Sequence, residues 1–158
     1  MACIVTLAAP CPAWAADLLD SLYGRWTTGQ PAPFTMTWTR ERDGFAVRWT
    51  VPGGREADIH FTPTRRPGVF AGRTNQGWSM FGRDKPVNPL VEGTLYWARS
   101  TPDAVYVYSL SVDDRGAFVL DRYACRRAGQ GRLDVALQRR LPDGKTEEMT
   151  MQLAKAGP

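Results

Sequence analysis

The 158-residue chain has one histidine, three cysteines and three lysines, and almost nowhere an apolar spacing of helical period. Each shortage removes a class of chemistry. With His60 alone and cysteine so sparse, the ligand sets of structural and catalytic zinc are missing. A Ser-His-Asp or Cys-His mechanism needs its base oriented beside the nucleophile. Nothing sets Cys125 near His60, which shares a polar strand parity with Glu56 and Asp58. Asp113-Asp114 and Glu147-Glu148 fall in or beside turns, where solvated carboxylates are the ordinary outcome. Gly53-Gly54 and Gly129-Gln130-Gly131 precede strands rather than helices, which makes them hairpin turns and not phosphate cradles. No cofactor is expected.

The formal net charge of +4 also narrows on inspection, because the basic residues are nearly all arginine, with only Lys85, Lys145 and Lys155 as lysines. The pairs Arg65-Arg66, Arg126-Arg127 and Arg139-Arg140 are adjacent, so on a strand their members face opposite ways, and no nucleic-acid patch is expected. No run of about 20 apolar residues exists to form a transmembrane helix. The opening MACIVTLAAPCPAWA is apolar and ends in Ala13-Trp14-Ala15, the small-x-small pattern of a cleaved secretory leader, although the first basic residue is Arg25. The reading adopted is an export signal over residues 1–15 and a single periplasmic or secreted domain over 16–158. The alternative is a retained apolar segment packed on a cytoplasmic domain. Loss of the leader would leave Cys125 as the sole thiol; retention would let Cys11 and Cys125 pair.

What the sequence does contain is alternation. After a short amphipathic helix over Ala16–Tyr23, FTMTWTRER sets Phe34, Met36 and Trp38 against three threonines. Asp43-Gly44 turns the chain into FAVRWTV, and READIHFT follows Pro52-Gly53-Gly54. From Leu90 to Cys125 three strands and two tight turns form a meander, and two more strands follow, ending in Met149, Met151 and Leu153 on one parity. Between them, residues 72–89 lose period two and carry Trp78 and Phe81, as a functional loop or cover would. Hairpin-length links and no crossover helices predict an all-β fold: a single up-and-down antiparallel barrel of about 8–10 strands with a short N-terminal helix. Closure would remove the exposed edges of so long a meander; a two-sheet β-sandwich is the competitor.

The helix followed by Gly24-Arg25-Trp26, opening the first strand of a meander, resembles the lipocalins and the wider calycin superfamily. The resemblance implies that Trp26 plugs the closed end of the barrel, with Arg139 or Arg122 stacked across it by a cation–π contact. The related ten-stranded nitrobindins hold haem through a histidine; His60, on a polar face, gives no such route.

The candidate binding residues are collective rather than motif-like. Trp38, Trp49, Trp97, Tyr106 and Tyr108, an inward arginine such as Arg122 or Arg40, and a covering loop bearing Trp78 and Phe81 would line an apolar lumen with one charged anchor. In the central meander Val105 and Val107 oppose Tyr106 and Tyr108, and either set can face inward. The leading expectation is an exported binder of one small apolar or amphipathic, anionic ligand, without catalysis. A small-barrel isomerase or cyclase using Tyr, Arg or Asp, and an envelope structural or interaction protein with a filled barrel, are the alternatives.

Overall fold

A computed structural model describes residues 13–29, 33–52, 56–74 and 93–157. Helix α1 (Ala13–Leu22) leads into ten strands: β1 (Gly24–Thr27), β2 (Thr35–Glu41), β3 (Gly44–Thr50), β4 (Glu56–Pro63), β5 (Val69–Thr74), β6 (Thr94–Ser100), β7 (Val105–Val112), β8 (Phe118–Arg127), β9 (Arg132–Arg140) and β10 (Thr146–Lys155). Every strand pairs antiparallel with its sequence neighbour, and β1 closes the ring against β10. The fold is therefore a closed up-and-down barrel with one short helix, and the sandwich alternative is set aside: a sandwich is two packed sheets, and here a single ring of strands closes on itself. The helix begins at Ala13, upstream of the expected Ala16, and so spans the point where the leader was expected to end.

The hairpins alternate between two ends. The turns at residues 42–43, 64–68, 101–104 and 128–131 lie at the same end as α1, and the links at 28–34, 113–117 and 141–145 lie at the other. The chain also leaves β5 and re-enters β6 at that second end, here called the mouth. Helix-end turns are closed by backbone bonds such as Thr101 N–H to Ala104 O, 2.9 Å. Gly44, at φ 152°, shows why one turn needs glycine: an added Cβ would lie 1.9 Å from the Phe61 carbonyl oxygen, so no other residue fits.

Period two decides which side chains fill the barrel. Inward residues include Met36 and Trp38 of β2, Phe45 and Val47 of β3, Ile59 and Phe61 of β4, Val105 and Val107 of β7, and Leu133 and Val135 of β9, all buried. Phe45 stacks between Trp38 (centroids 5.5 Å apart) and Phe61 (4.9 Å), with the edge of Phe70 at 5.0 Å. Gly72 faces the same space, where a Cβ would come within 2.6 Å of Tyr96 Cβ and 2.9 Å of the Phe61 ring, so the bare backbone there makes room for two aromatic neighbours.

Leu19 and Leu22 of α1 complete this core, and Trp26 lies beneath them, fully buried, donating its Nε1–H to Leu22 O at 2.7 Å. Two cations cover the Trp26 ring: the Lys155 ammonium at 5.4 Å and the Arg127 guanidinium at 5.9 Å. Arg127 also donates to Ser21 O, 2.8 Å, which ties β8 to the helix. Trp26 thus lies buried at the helix end, and the cations over its ring are Arg127 and Lys155. Arg139 and Arg122, expected there from sequence, lie elsewhere on β9 and β8. Position along the strand explains the difference: Arg127 ends β8 at the helix end, whereas Arg139 lies at the mouth end of β9.

Candidate functional site

Going from the helix end to the mouth, inward side chains change from sealed to accessible on strand after strand. On β10, Leu153 is 1% exposed, Met151 half-buried and Met149 49% exposed, although all three share one parity. On β9, Leu133 and Val135 are buried, while Leu137 and Arg139 are half-buried. On β7, Val105 and Val107 give way to Ser109 and Ser111, and on β6, Ser100 and Ala98 give way to Tyr96 and Thr94. Among the described residues of β6, β7, β9 and β10, inward side chains are sealed at the helix end and more accessible towards the mouth.

The boundary between the halves is a tier of rings. Trp49 of β3 reaches Tyr123 of β8 (centroids 5.1 Å) and meets Tyr96 of β6 edge-on at 6.4 Å. Because β3 and β8 lie on opposite walls, these contacts cross the lumen and make a floor. Burial pushes the Tyr123 phenol up to about 12, helped by the nearby Asp121 carboxylate, and burial likewise raises Tyr96. Both rings therefore remain neutral at physiological pH and present hydroxyls rather than phenolates.

Beside this floor lies an ion pair in exact register across the β8–β9 hairpin. Arg139 Nε–H donates to Asp121 Oδ1 at 2.8 Å and Nη2–H to Oδ2 at 3.0 Å, a bidentate clamp. Asp121 is nearly sealed, with its side chain 10% exposed, while that of Arg139 is 42% exposed. The hydrogen bond to Asp121 holds the guanidinium firmly charged, and Glu147, opposite Arg139 on β10, adds to this. Beside the floor, among the described residues, the Arg139 cation is thus flanked by Asp121 and Glu147.

The structure divides the residues expected to line a pocket. Trp49 is in the floor. Trp38 points inward but belongs to the sealed half, stacked on Phe45. Trp97, Tyr106, Tyr108 and Arg122 face outward, because their register partners alternate with the buried Ala98, Val105 and Val107. They are brought together, but on the outer wall: Trp97 and Tyr108 stack at 4.9 Å with planes 2° apart, and Arg122 lies 5.8 Å over Tyr106. Arg40 lies at the helix end, paired with Asp20 and 5.0 Å over the Tyr23 ring. Among the described residues, the arginine beside the floor is Arg139. Trp78 and Phe81 lie outside the described residues.

His60 is on the outer wall, its Nδ1 2.6 Å from Glu41 Oε1 and its Nε2 4.0 Å from Asp58 Oδ1, and Asp58 in turn accepts from Arg48 at 2.6 Å. Cys125 is sealed inside the lower half, where burial pushes its thiol up to about 12 and leaves it unreactive.

Tyr96, Tyr123, Asp121, Leu137 and Met149 were not anticipated as site residues. One signal for the ion pair was present: a turn centred on Gly129–Gly131 places position 121 opposite 139, two opposite charges on one face of the hairpin. The family models, the curated proteins and the solved structures compared with this chain gave no match, so the fold stands on its own topology.

Proposed function

We propose that this is a lipocalin-like binding protein that holds one small apolar or amphipathic molecule in the mouth half of the barrel, above the Trp49–Tyr96–Tyr123 floor. The observation that carries the reading is the exposure gradient on β10, where an inward methionine at the mouth is 49% exposed while its neighbour two positions down the same face is half-buried and the next is sealed. Leu137, Met149 and Met151 offer apolar walls, and methionine adapts to irregular shapes.

The charge inventory modifies the anionic ligand expected from sequence. That expectation rested on a free inward arginine, and the inward Arg139 is already neutralised by Asp121 with Glu147 beside it. An uncharged polar end, accepting from the tyrosine hydroxyls or the remaining Arg139 N–H groups, fits better than a carboxylate. Catalysis is not favoured: Asp121 is held by two hydrogen bonds, and Tyr123 ionises far above neutral pH, so neither is placed as a free base. The apolar opening segment supports export, and a measured mature N-terminus at Ala16 in an extracytoplasmic fraction would test it.

The test of binding is titration with a medium-chain fatty alcohol and the matching fatty acid, followed by Trp49 quenching and by native mass spectrometry. One-to-one binding, tighter for the alcohol, is expected. Failure of both to bind would leave the barrel a filled structural element, and recovery of a chemically altered ligand would make it an enzyme.

A further inference from the structure

Strand register divides the inward face near the mouth into two unlike arcs. Across β6, β7, β8, β9 and β10, one rung on the inward parity runs Tyr96–Ser109–Asp121–Arg139–Glu147, each residue directly opposite the next. Every member is polar. One step towards the helix end the same strands carry Ala98, Val107, Tyr123, Leu137 and Met149, so the polarity begins at a single level. Across the lumen, β3 and β4 answer with Trp49 and Ala57, also in mutual register and both apolar. Trp49 meets Tyr96 edge-on at 6.4 Å, which brings the two arcs together at one height.

A ligand with a single polar tip uses only part of such a rung. A chain alcohol would engage one or two of these groups and lay methylenes against the others, and polar groups buried without partners oppose binding. The rung also selects the kind of polar group. Asp121 and Glu147 accept hydrogen bonds, the Arg139 N–H groups not given to Asp121 donate, and the Ser109 and neutral Tyr96 hydroxyls do either. An uncharged group that both donates and accepts suits the whole series, and a hydroxyl is such a group. We propose, building on the binding role above, that the ligand is a neutral, rigid amphiphile with several hydroxyls on one face. Those hydroxyls lie along the Tyr96–Glu147 rung, and the apolar face rests on Trp49 and Ala57. The two carboxylates disfavour an anionic edge, and a rigid frame loses little conformational freedom on binding.

The test compares methyl cholate, whose ring hydroxyls share one face, with methyl lithocholate, the same frame bearing one hydroxyl, and with the medium-chain fatty alcohol. By tryptophan quenching and native mass spectrometry, methyl cholate should bind about tenfold tighter than either. Ser109→Ala should weaken methyl cholate about fivefold and leave methyl lithocholate unchanged, with unchanged thermal unfolding to show that the variant folds. The proposal is overturned if the two steroid frames bind alike, or if Ser109→Ala weakens both equally or neither. Should the fatty alcohol bind and methyl cholate not, the assignment of a hydroxylated face falls while the binding role stands. Should none of the probes bind, both fall.

Discussion

The two halves of the barrel interior are built from the same alternating strands but have different roles. The helix-end half is crowded with rings and closed by α1 and Trp26; the mouth half exchanges branched aliphatics for serine, tyrosine and an ion pair. The difference shows that alternation fixes only which face a side chain occupies. Whether that face is sealed or accessible depends on how far along the strand the large apolar residues continue.

The largest effect should come from the sealed half. Trp26→Ala removes a fully buried indole and its hydrogen bond to Leu22, and should cost about 3–5 kcal/mol in denaturant unfolding. A loss under about 1 kcal/mol would remove it from the plug role and weaken the division itself.

Next is the pH profile. Tyr123 has its folded pKa raised from 10.0 to about 12, so the folded state keeps the proton longer than the unfolded chain. The resulting stabilisation is complete below pH 10 and is lost as pH rises towards 12, a fall of about 2–3 kcal/mol by linkage. Tyr123→Phe should flatten that part of the curve, leaving the contribution of the sealed Cys125 thiol between its ordinary 9.0 and about 12.

Arg139→Met should cost about 2 kcal/mol, below the value for a fully buried pair, because Arg139 is partly solvated while the Asp121 it abandons is not. Pairing it with Asp121→Leu should restore most of the loss, which a double-mutant cycle would show. If the double variant is no better than the single, the pair is not the coupled unit described. The smallest effect belongs to the proposed binding region: Met149→Ala should change stability by less than about 0.5 kcal/mol while weakening uptake of the fatty alcohol. A large stability loss there would place Met149 in the core.

These contrasts also explain what the sequence made legible. Strand pairing was readable because Asp43-Gly44, the Ser100–Asp103 stretch and Gly129–Gly131 each reverse the chain within a few residues, and the inward face of β2 and β3 was readable because threonine and arginine occupy the other face. In the first half of β7 both parities are apolar or aromatic, so Tyr106 and Tyr108 were taken for lumen residues when the smaller Val105 and Val107 face it. The same reason misplaced Trp97 and Arg122, which belong to an outer wall that breaks the usual polar-outside rule. Arg139 was read as a stacking partner because residue type alone does not reveal height along the barrel axis.

The seam that closes the ring is short. β1 has four residues and meets β10 at only two positions, Trp26 opposite Lys155 and Thr27 opposite Ala154, with the Ala156 amide bonding Arg25 O just beyond. Few backbone bonds need break there for the cylinder to part, and the lowest-energy opening of the native state is expected at this join, with β1 and the end of β10 showing the fastest amide hydrogen exchange of any strands. The cations clasping the plug tryptophan therefore also act as the latch of the seam, one of them on β10 itself.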